Sequence, residues 1–275
     1  MILASLSGSQ SVPSLAFYTD LDNVSMQSAL SILITSNLVS AERGRTFEDD
    51  ERYLLSTLAR SYITKFARPS PEVQRSLLKK QNALRSAQEE YAARQGADIF
   101  DINHVFIRDK DDYIVAKMLV LAIEHHFKHR WEEAEALVAK ATDLSPNYFE
   151  VHRVAAMLHI AREDLFGAEA QFESAISLAP DRAPLRVWYA GFLSRQLADH
   201  VRAEAELLKG ETLAPTSYVV KHELARILQY QRRFDDAEER LMAVNSIERL
   251  PAKAQRVHLD LGIQNEIRRA EQLIS

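Results

Sequence analysis

Glu124, His125, His126 and His129 form the one cluster in this 275-residue chain whose spacing could hold a metal. His125 and His129 stand one helical turn apart, so two imidazoles on one face could share a zinc ion. No thiolate can join them, because the chain has no cysteine, which also removes disulfides and thiol catalysis. Serine, histidine and aspartate all occur, but no nucleophile elbow or ordered base accompanies them. The seven glycines are scattered singly, so no glycine-rich loop is present to cradle a nucleotide phosphate. Charge-rich stretches such as "RWEEAEA" and "RRFDDAEER" have the i,i+4 pairing of ordinary solvated helix faces. The expectation is a chain without enzyme activity, cofactor or metal, if packing accounts for the histidines.

The elements that would position these residues are set by an internal period. Small residues recur at Ala134, Ala168, Ala203 and Ala237, with spacings of 34, 35 and 34. Four residues after each comes a bulkier apolar side chain: Val138, Phe172, Leu207 and Leu241. Three further on stand Ala141, Ala175, Gly210 and Val244, and Pro146, Pro180 and Pro215 close the first three units. Upstream, Leu121-Ala122, Ala155-Ala156, Ala190-Gly191 and Leu224-Ala225 keep the same period. Small residues let two antiparallel helices approach, bulkier ones fill the gap between successive hairpins, and proline stops the second helix. Residues 113–250 thus resemble four tetratricopeptide (TPR) repeats, whose unit is about 34 residues of helix-turn-helix. In that register His125 and His159 occupy an inter-helix packing position, which favours packing over metal binding. The fourth unit has Arg249 where proline is expected. Residues 251–275 then place Leu259, Ile263, Ile267, Ala270 and Ile274 on one helical face, as a capping helix or a truncated further repeat.

Ahead of the repeats, residues 1–68 read as helix (2–7), helix (13–18), helix (24–36), strand (38–42), a turn at Gly44, strand (51–56) and helix (57–67). That is the outline of a winged helix, which reads DNA with its third helix. Here that helix, "VSMQSALSILITSN", contains no Lys or Arg, and the hairpin tip "RTFEDDER" is more acidic than basic. Phosphate contacts dominate DNA affinity, so no nucleic-acid partner is expected. The net charge of −5 agrees. Residues 69–112 form a spacer. Ser70-Pro71 starts a helix with Leu77, Leu78, Ala83, Leu84, Ala87 and Tyr91 on one stripe, ended by Gly96. "ADIFDINHVFIRDKDD" then docks as irregular chain against the first repeat, and Asp111 or Asp112 caps the next helix. With 27% charged residues and no apolar run of 18, no membrane span is expected. "MILASLSGSQ" lacks a basic n-region, so the chain is expected in the cytoplasm.

"ALSILITSNLVSAERG" followed by "RYLLSTLARSYI" resembles the winged-helix subdomain of STAND-type signalling NTPases, the NB-ARC and NACHT relatives. The family pattern is a helix ending in L..LSLV, a hairpin, then roughly Y-x-L-H-x-L-x-R-x-Y. Tyr53, Leu55, Leu58, Arg60 and Tyr62 fall on it, and Ser56 stands where the family has a nucleotide-facing histidine. The resemblance implies a mainly α chain, a winged-helix-like module followed by an α-solenoid of TPR hairpins. It also implies the C-terminal, ligand-sensing arm of a larger protein with an ATPase core, in bacterial defence or signalling. The abrupt, uncapped apolar start agrees with such a cut. The alternative is a winged-helix transcriptional regulator whose repeats sense a peptide.

In stacked hairpins the first helix of each unit lines the concave face, where such solenoids bind protein or peptide ligands. The repeat register puts two rows there: Leu119, Arg153, Trp188 and His222, and Ile123, Met157, Phe192 and Arg226. The paired asparagines and lysines of the family's chaperone-tail clamp are absent from these rows. Aromatics with arginine have the composition of binding hot spots. The rows predict a solvent-open groove for a helix or extended peptide with large apolar side chains flanked by Asp or Glu.

Overall fold

The structure is a computed structural model that describes residues 2–6, 9–43, 51–67, 70–93, 98–108, 112–245 and 250–274. Among these residues the chain is mainly helical, with fourteen helices and three short strands. It divides into two compact units, Met1–Ala97 with Asn103–Val154, and Asp98–Ile102 with Ala155–Ser275.

The first unit opens with α1 (Ile2–Ser5), β1 (Gln10–Ser11), α2 (Val12–Thr19) and α3 (Asn23–Thr35). β2 (Val39–Arg43), β3 (Glu51–Leu55) and α4 (Thr57–Phe66) follow. Side-chain caps fix the helix starts. Ser11 accepts from the Ser14 amide, Asp22 from Ser25 and Ser56 from Ala59, each satisfying an amide with no partner inside its helix. The sheet is antiparallel in the order β1-β3-β2, with Gln10 opposite Tyr53 and Val39 opposite Leu55. β1 was not expected, because a two-residue strand has no period to read, and the first helix is shorter than its apolar run. The turn at Gly44 and most of the hairpin tip lie outside the described residues. Leu3, Leu15, Met26, Leu30, Tyr53 and Leu55 meet in one core. The Arg60 guanidinium donates to the Leu3, Ala4 and Leu6 carbonyls at 3.3–3.4 Å, holding the open end of α1.

The spacer helix α5 (Pro71–Ala93) sends Leu77 into that core. Lys80 donates to the Phe17 and Tyr18 carbonyls at the end of α2 and pairs with Asp20 at 2.6 Å. The expected apolar stripe is only partly used, since Leu78 is exposed. Side chains 84–93, with Leu84, Ala87 and Tyr91, lie outside the description, as do Gly96 and Asp111.

The repeats begin with the hairpin α6 (Asp112–Phe127) and α7 (Trp131–Leu144), and α8 (Phe149–Ala161) follows. The second unit carries α9 (Leu165–Leu178), α10 (Ala183–Gln196), α11 (His200–Leu213), α12 (Tyr218–Tyr230), α13 (Phe234–Asn245) and α14 (Ala252–Ile274). Ala134, Ala168, Ala203 and Ala237 have no exposed surface, as expected where helices touch. Before each proline, Ser145, Ala179 and Ala214 share one non-helical conformation, φ −146 to −139° and ψ 69 to 70°. Proline forbids the helical conformation to the residue before it, which ends the helix there. Between the two helices of each hairpin, His129, Glu163, Ala198 and Arg232 are left-handed, with φ 52 to 61° and the same 34–35 residue spacing. No glycine marks these turns, so they have no local sign in the sequence.

α14 packs with a different face from the one expected. Ala254, Leu261 and Asn265 are buried, while Leu259, Ile263, Ile267 and Ile274 are exposed. Leu261 joins Ala225, Leu228, Ala237 and Leu241, Gln229 donates to the Leu261 carbonyl (2.8 Å), and Asn265 donates to the Phe234 carbonyl (3.0 Å). The exposed face holds Leu259 at the register position that Ala122, Ala156, Gly191 and Ala225 occupy in the repeats. In those units this face meets the unit's own second helix.

Candidate functional site

Most of the two rows read from the repeat register is closed to solvent. In the first unit Leu119 and Ile123 of α6 are buried, and Arg153 of α8 is 2% exposed. Met157, later in α8 and within the second unit, is buried, as are Phe192 of α10 and His222 of α12. Trp188 is half-buried and Arg226 is partly exposed. The expectation of a solvent-open floor is therefore corrected: the chain's own residues 98–108 and α14 lie against several of these side chains.

In the first unit, residues 103–108 run along the start of α8. Glu150 and Arg153, one turn apart, form a buried ion pair. Glu150 accepts from the Phe106 amide (3.2 Å) and Arg153 donates to the His104 carbonyl (3.0 Å), so the two charges hold a main chain as a neighbouring strand would. The fully buried Tyr148 hydroxyl donates to the Phe106 carbonyl. Burial, then the carboxylates of Glu150 and Asp112, push that phenol well above its ordinary range. Arg108 lies over the Tyr148 ring at 4.5 Å and makes a two-pronged pair with Asp112. Asp112, expected as a cap, accepts from the Arg108 amide instead.

In the second unit, residues 98–102 lie on α10 and α12. The Trp188 indole N–H donates to the Phe100 carbonyl at 3.3 Å, and Phe100, Trp188 and Val219 each pack against the edge of the core cluster. The Tyr218 hydroxyl meets the Asp98 carboxylate at 3.5 Å. Beneath, Phe172, Tyr189 and Phe192 form a ring cluster with centroids 5.5–6.3 Å apart. His222 is stacked on His258 of α14, with Nε2 and Nδ1 3.3 Å apart. Burial, then the charges of His258 and Arg226, bring the His222 pKa down to about 4. Arg226 is paired with Glu223. The signal in the sequence for this arrangement was the segment itself: its apolar residues flanked by Asp match the ligand chemistry expected for the groove.

Two histidines of the cluster pack on aromatic rings. His126 meets Phe127 and Trp131 edge-on at 5.1 and 5.2 Å, and His129 meets Trp131 at 5.3 Å. Burial, then His129, lowers the His126 pKa. Among the described residues no group of three His, Asp or Glu is placed to hold a metal. The front module has an apolar cleft of about 960 Å³, lined by Leu15, Met26, Leu33, Leu58, Tyr62 and Ile63 among others. Ser56, at its edge, caps α4. Among the described residues no helix is long and apolar enough to cross a membrane.

No protein-family profile and no curated protein sequence matches the chain. Solved structures do. Yeast Tom70 is 18% identical, over 78% of this chain and 46% of that one, with a TM-score of 0.50. TTC0263, a thermophilic TPR protein of Thermus thermophilus, is 16% identical over 66% of this chain and 98% of its own, also at 0.50. The matched part spans under half of the yeast protein's length.

Proposed function

The repeat region has the TPR fold, and from this premise we propose that the chain is a non-enzymatic protein-interaction module. It takes a protein or peptide ligand on the first helices of its hairpins, around Trp188, Phe192, His222 and Arg226, with Leu119, Ile123, Arg153 and Met157 at the corresponding positions of the earlier repeats. The observation that carries this reading is the chain's own non-helical segment, held on these helices by hydrogen bonds to its main chain. Such contacts accept any extended peptide with suitable side chains, the mode by which grooves bind segments without reading every residue.

The finer reading is the ligand-sensing arm of a STAND-like NTPase, cytoplasmic, in signalling or defence. Its support is the α1-β1-α2-α3-β2-β3-α4 order with a β1-β3-β2 sheet, which has the connectivity of a winged helix, placed ahead of the repeats. The apolar cleft and the exposed Leu58, Tyr62 and Phe66 give that module a surface suited to an ATPase core. The regulator alternative has less support, since α3 carries no Lys or Arg to meet phosphate.

Panning a random peptide-display library against the full chain tests the interaction reading. Binders of micromolar affinity that weaken with Arg226→Glu support it, and failure to enrich any sequence overturns it. A salt-sensitive, sub-micromolar dissociation constant for duplex DNA would instead promote the regulator.

A further inference from the structure

We propose that the exposed face of α14 is a homodimer interface, on which a second copy of the chain lays its own α14 antiparallel against Leu259, Ile263, Ile267 and Ile274. The inference is independent of any ligand that the repeats take.

At 3.6 residues per turn α14 carries apolar residues on two opposite sides. One side is taken: Ala254, Leu261 and Asn265 are buried, and Arg269 pairs with Asp235 and Glu238 of α13 at 2.8 and 3.0 Å. The other leaves Leu259, Ile263 and Ile267 65%, 59% and 54% exposed, and Leu273 and Ile274 above 80%. A helix that closes a solenoid needs a polar outer face, so this one is built to be covered. The hairpin geometry of the repeats cannot supply the cover, for two reasons. Leu259 stands where Ala122, Ala156, Gly191 and Ala225 stand, and Ala225 shares a cluster with Ala237 and Leu241 of α13. Small residues there let the second helix cross closely, and a leucine holds it off. The left-handed turns at His129, Glu163, Ala198 and Arg232 would next fall, at the same spacing, on Glu266. Instead α14 runs through that position for 23 residues, against 14 and 13 in α10 and α12.

A second α14 fits on shape, area and charge. Large side chains spaced along a straight helix interlock with an equal set on another, and a twofold axis matches one face to itself. The five exposed side chains of two copies present about 1,200 Å² together, which reaches the size of a specific interface. Ile263 is the middle residue of Ala252–Ile274, so the axis passes beside it. Lys253, Arg256 and Glu271 are exposed and lie toward one edge of the face. Antiparallel pairing about Ile263 sets Lys253 and Arg256 of one copy on either side of Glu271 of the other. Parallel pairing would instead align like charges, so the edge selects the antiparallel orientation.

Sedimentation velocity on the full chain tests this. The parent should sediment as a dimer of the 31.3 kDa chain at micromolar concentration. Ile263→Asp sets two carboxylates at the axis and should weaken dimerisation by about a hundredfold or more, with the helical circular dichroism of the parent retained. Phe166→Asp, at an apolar residue of α9 that is 89% exposed, should leave the dimer intact. Lys253→Glu should weaken the dimer severalfold, and adding Glu271→Lys should restore it. In this cysteine-free chain Ile263→Cys should cross-link two copies on mild oxidation. Leu273→Cys should not, because antiparallel pairing holds the two thiols ~30 Å apart. A dimer indifferent to Ile263→Asp, or equal cross-linking at the two cysteine positions, would overturn the proposal. A parent that stays monomeric at about 100 µM would overturn it too, and would give the face to a helix of another protein.

Discussion

Replacing Arg153 by leucine tests how the chain holds its own segment. The guanidinium and the Glu150 carboxylate are each 2% exposed and bonded to one another. In Arg153→Leu the carboxylate stays buried with the Phe106 amide as its remaining support, and the His104 carbonyl loses its donor. Breaking a buried pair from one side costs about 3–5 kcal/mol, mostly the penalty of the stranded charge. At a urea slope of about 2 kcal/mol/M, the unfolding midpoint should fall by roughly 2 M. Glu150→Leu with Arg153→Leu removes both charges and should recover most of that loss, as paired buried ions often exchange for apolar side chains at little cost. The chain has two tryptophans, and in a Trp188→Phe background Trp131 reports the first unit by itself. A single variant within about 0.5 kcal/mol of the parent would refute the reasoning, since surface changes are of that size. A double variant no better than the single would show that the grip on the main chain, rather than the charge balance, carries the energy.

Three further outcomes are expected. Ala168→Trp forces an indole into a helix contact with no exposed surface and should cost about 1–3 kcal/mol or more, and a variant that melts with the parent would show the repeat register to be wrong. Ala198→Gly should raise the melting temperature by relieving a left-handed φ of 52°, the strain of about 1–2 kcal/mol outweighing glycine's extra freedom when unfolded; a lower melting temperature would count against that backbone. His222 has a folded pKa of about 4 against an unfolded value near 6.5, so the unfolded chain binds the extra proton between those values. Stability from this group is present above pH 6.5 and lost as pH falls towards 4, and His222→Asn should flatten that limb of a melting-temperature profile.

The repeats were legible because their physics is local and periodic. Ala134, Ala168, Ala203 and Ala237 must be small for helices to touch, and Pro146, Pro180 and Pro215 must follow each second helix, so the residues themselves record the fold. The left-handed turns at His129, Glu163, Ala198 and Arg232 obey the same period but left no compositional trace. They are held by the helices on either side rather than by a glycine. α14 misled for a related reason. Its large apolar residues suggested the buried face, yet packing chose Ala254, Leu261 and Asn265, because two hydrogen bonds from Gln229 and Asn265 and a close fit decide contact, not side-chain hydrophobicity alone.

By itself, the sequence determined where the second helices of the first three units stop, which residues sit at their crossings, and which two rows line the first helices of the hairpins. Only tertiary structure decided whether those rows face water. Residues 98–108 have no helical or strand period, and their partners stand 42, 49 and 88 residues away at Tyr148, Arg153 and Trp188. A contact of that range is fixed by where folded helices place an indole, a phenol and an ion pair in space. The Asp-flanked apolar residues of the segment suit a groove, but its local pattern does not encode which helices hold it, and so the candidate site took shape only when the chain folded onto itself.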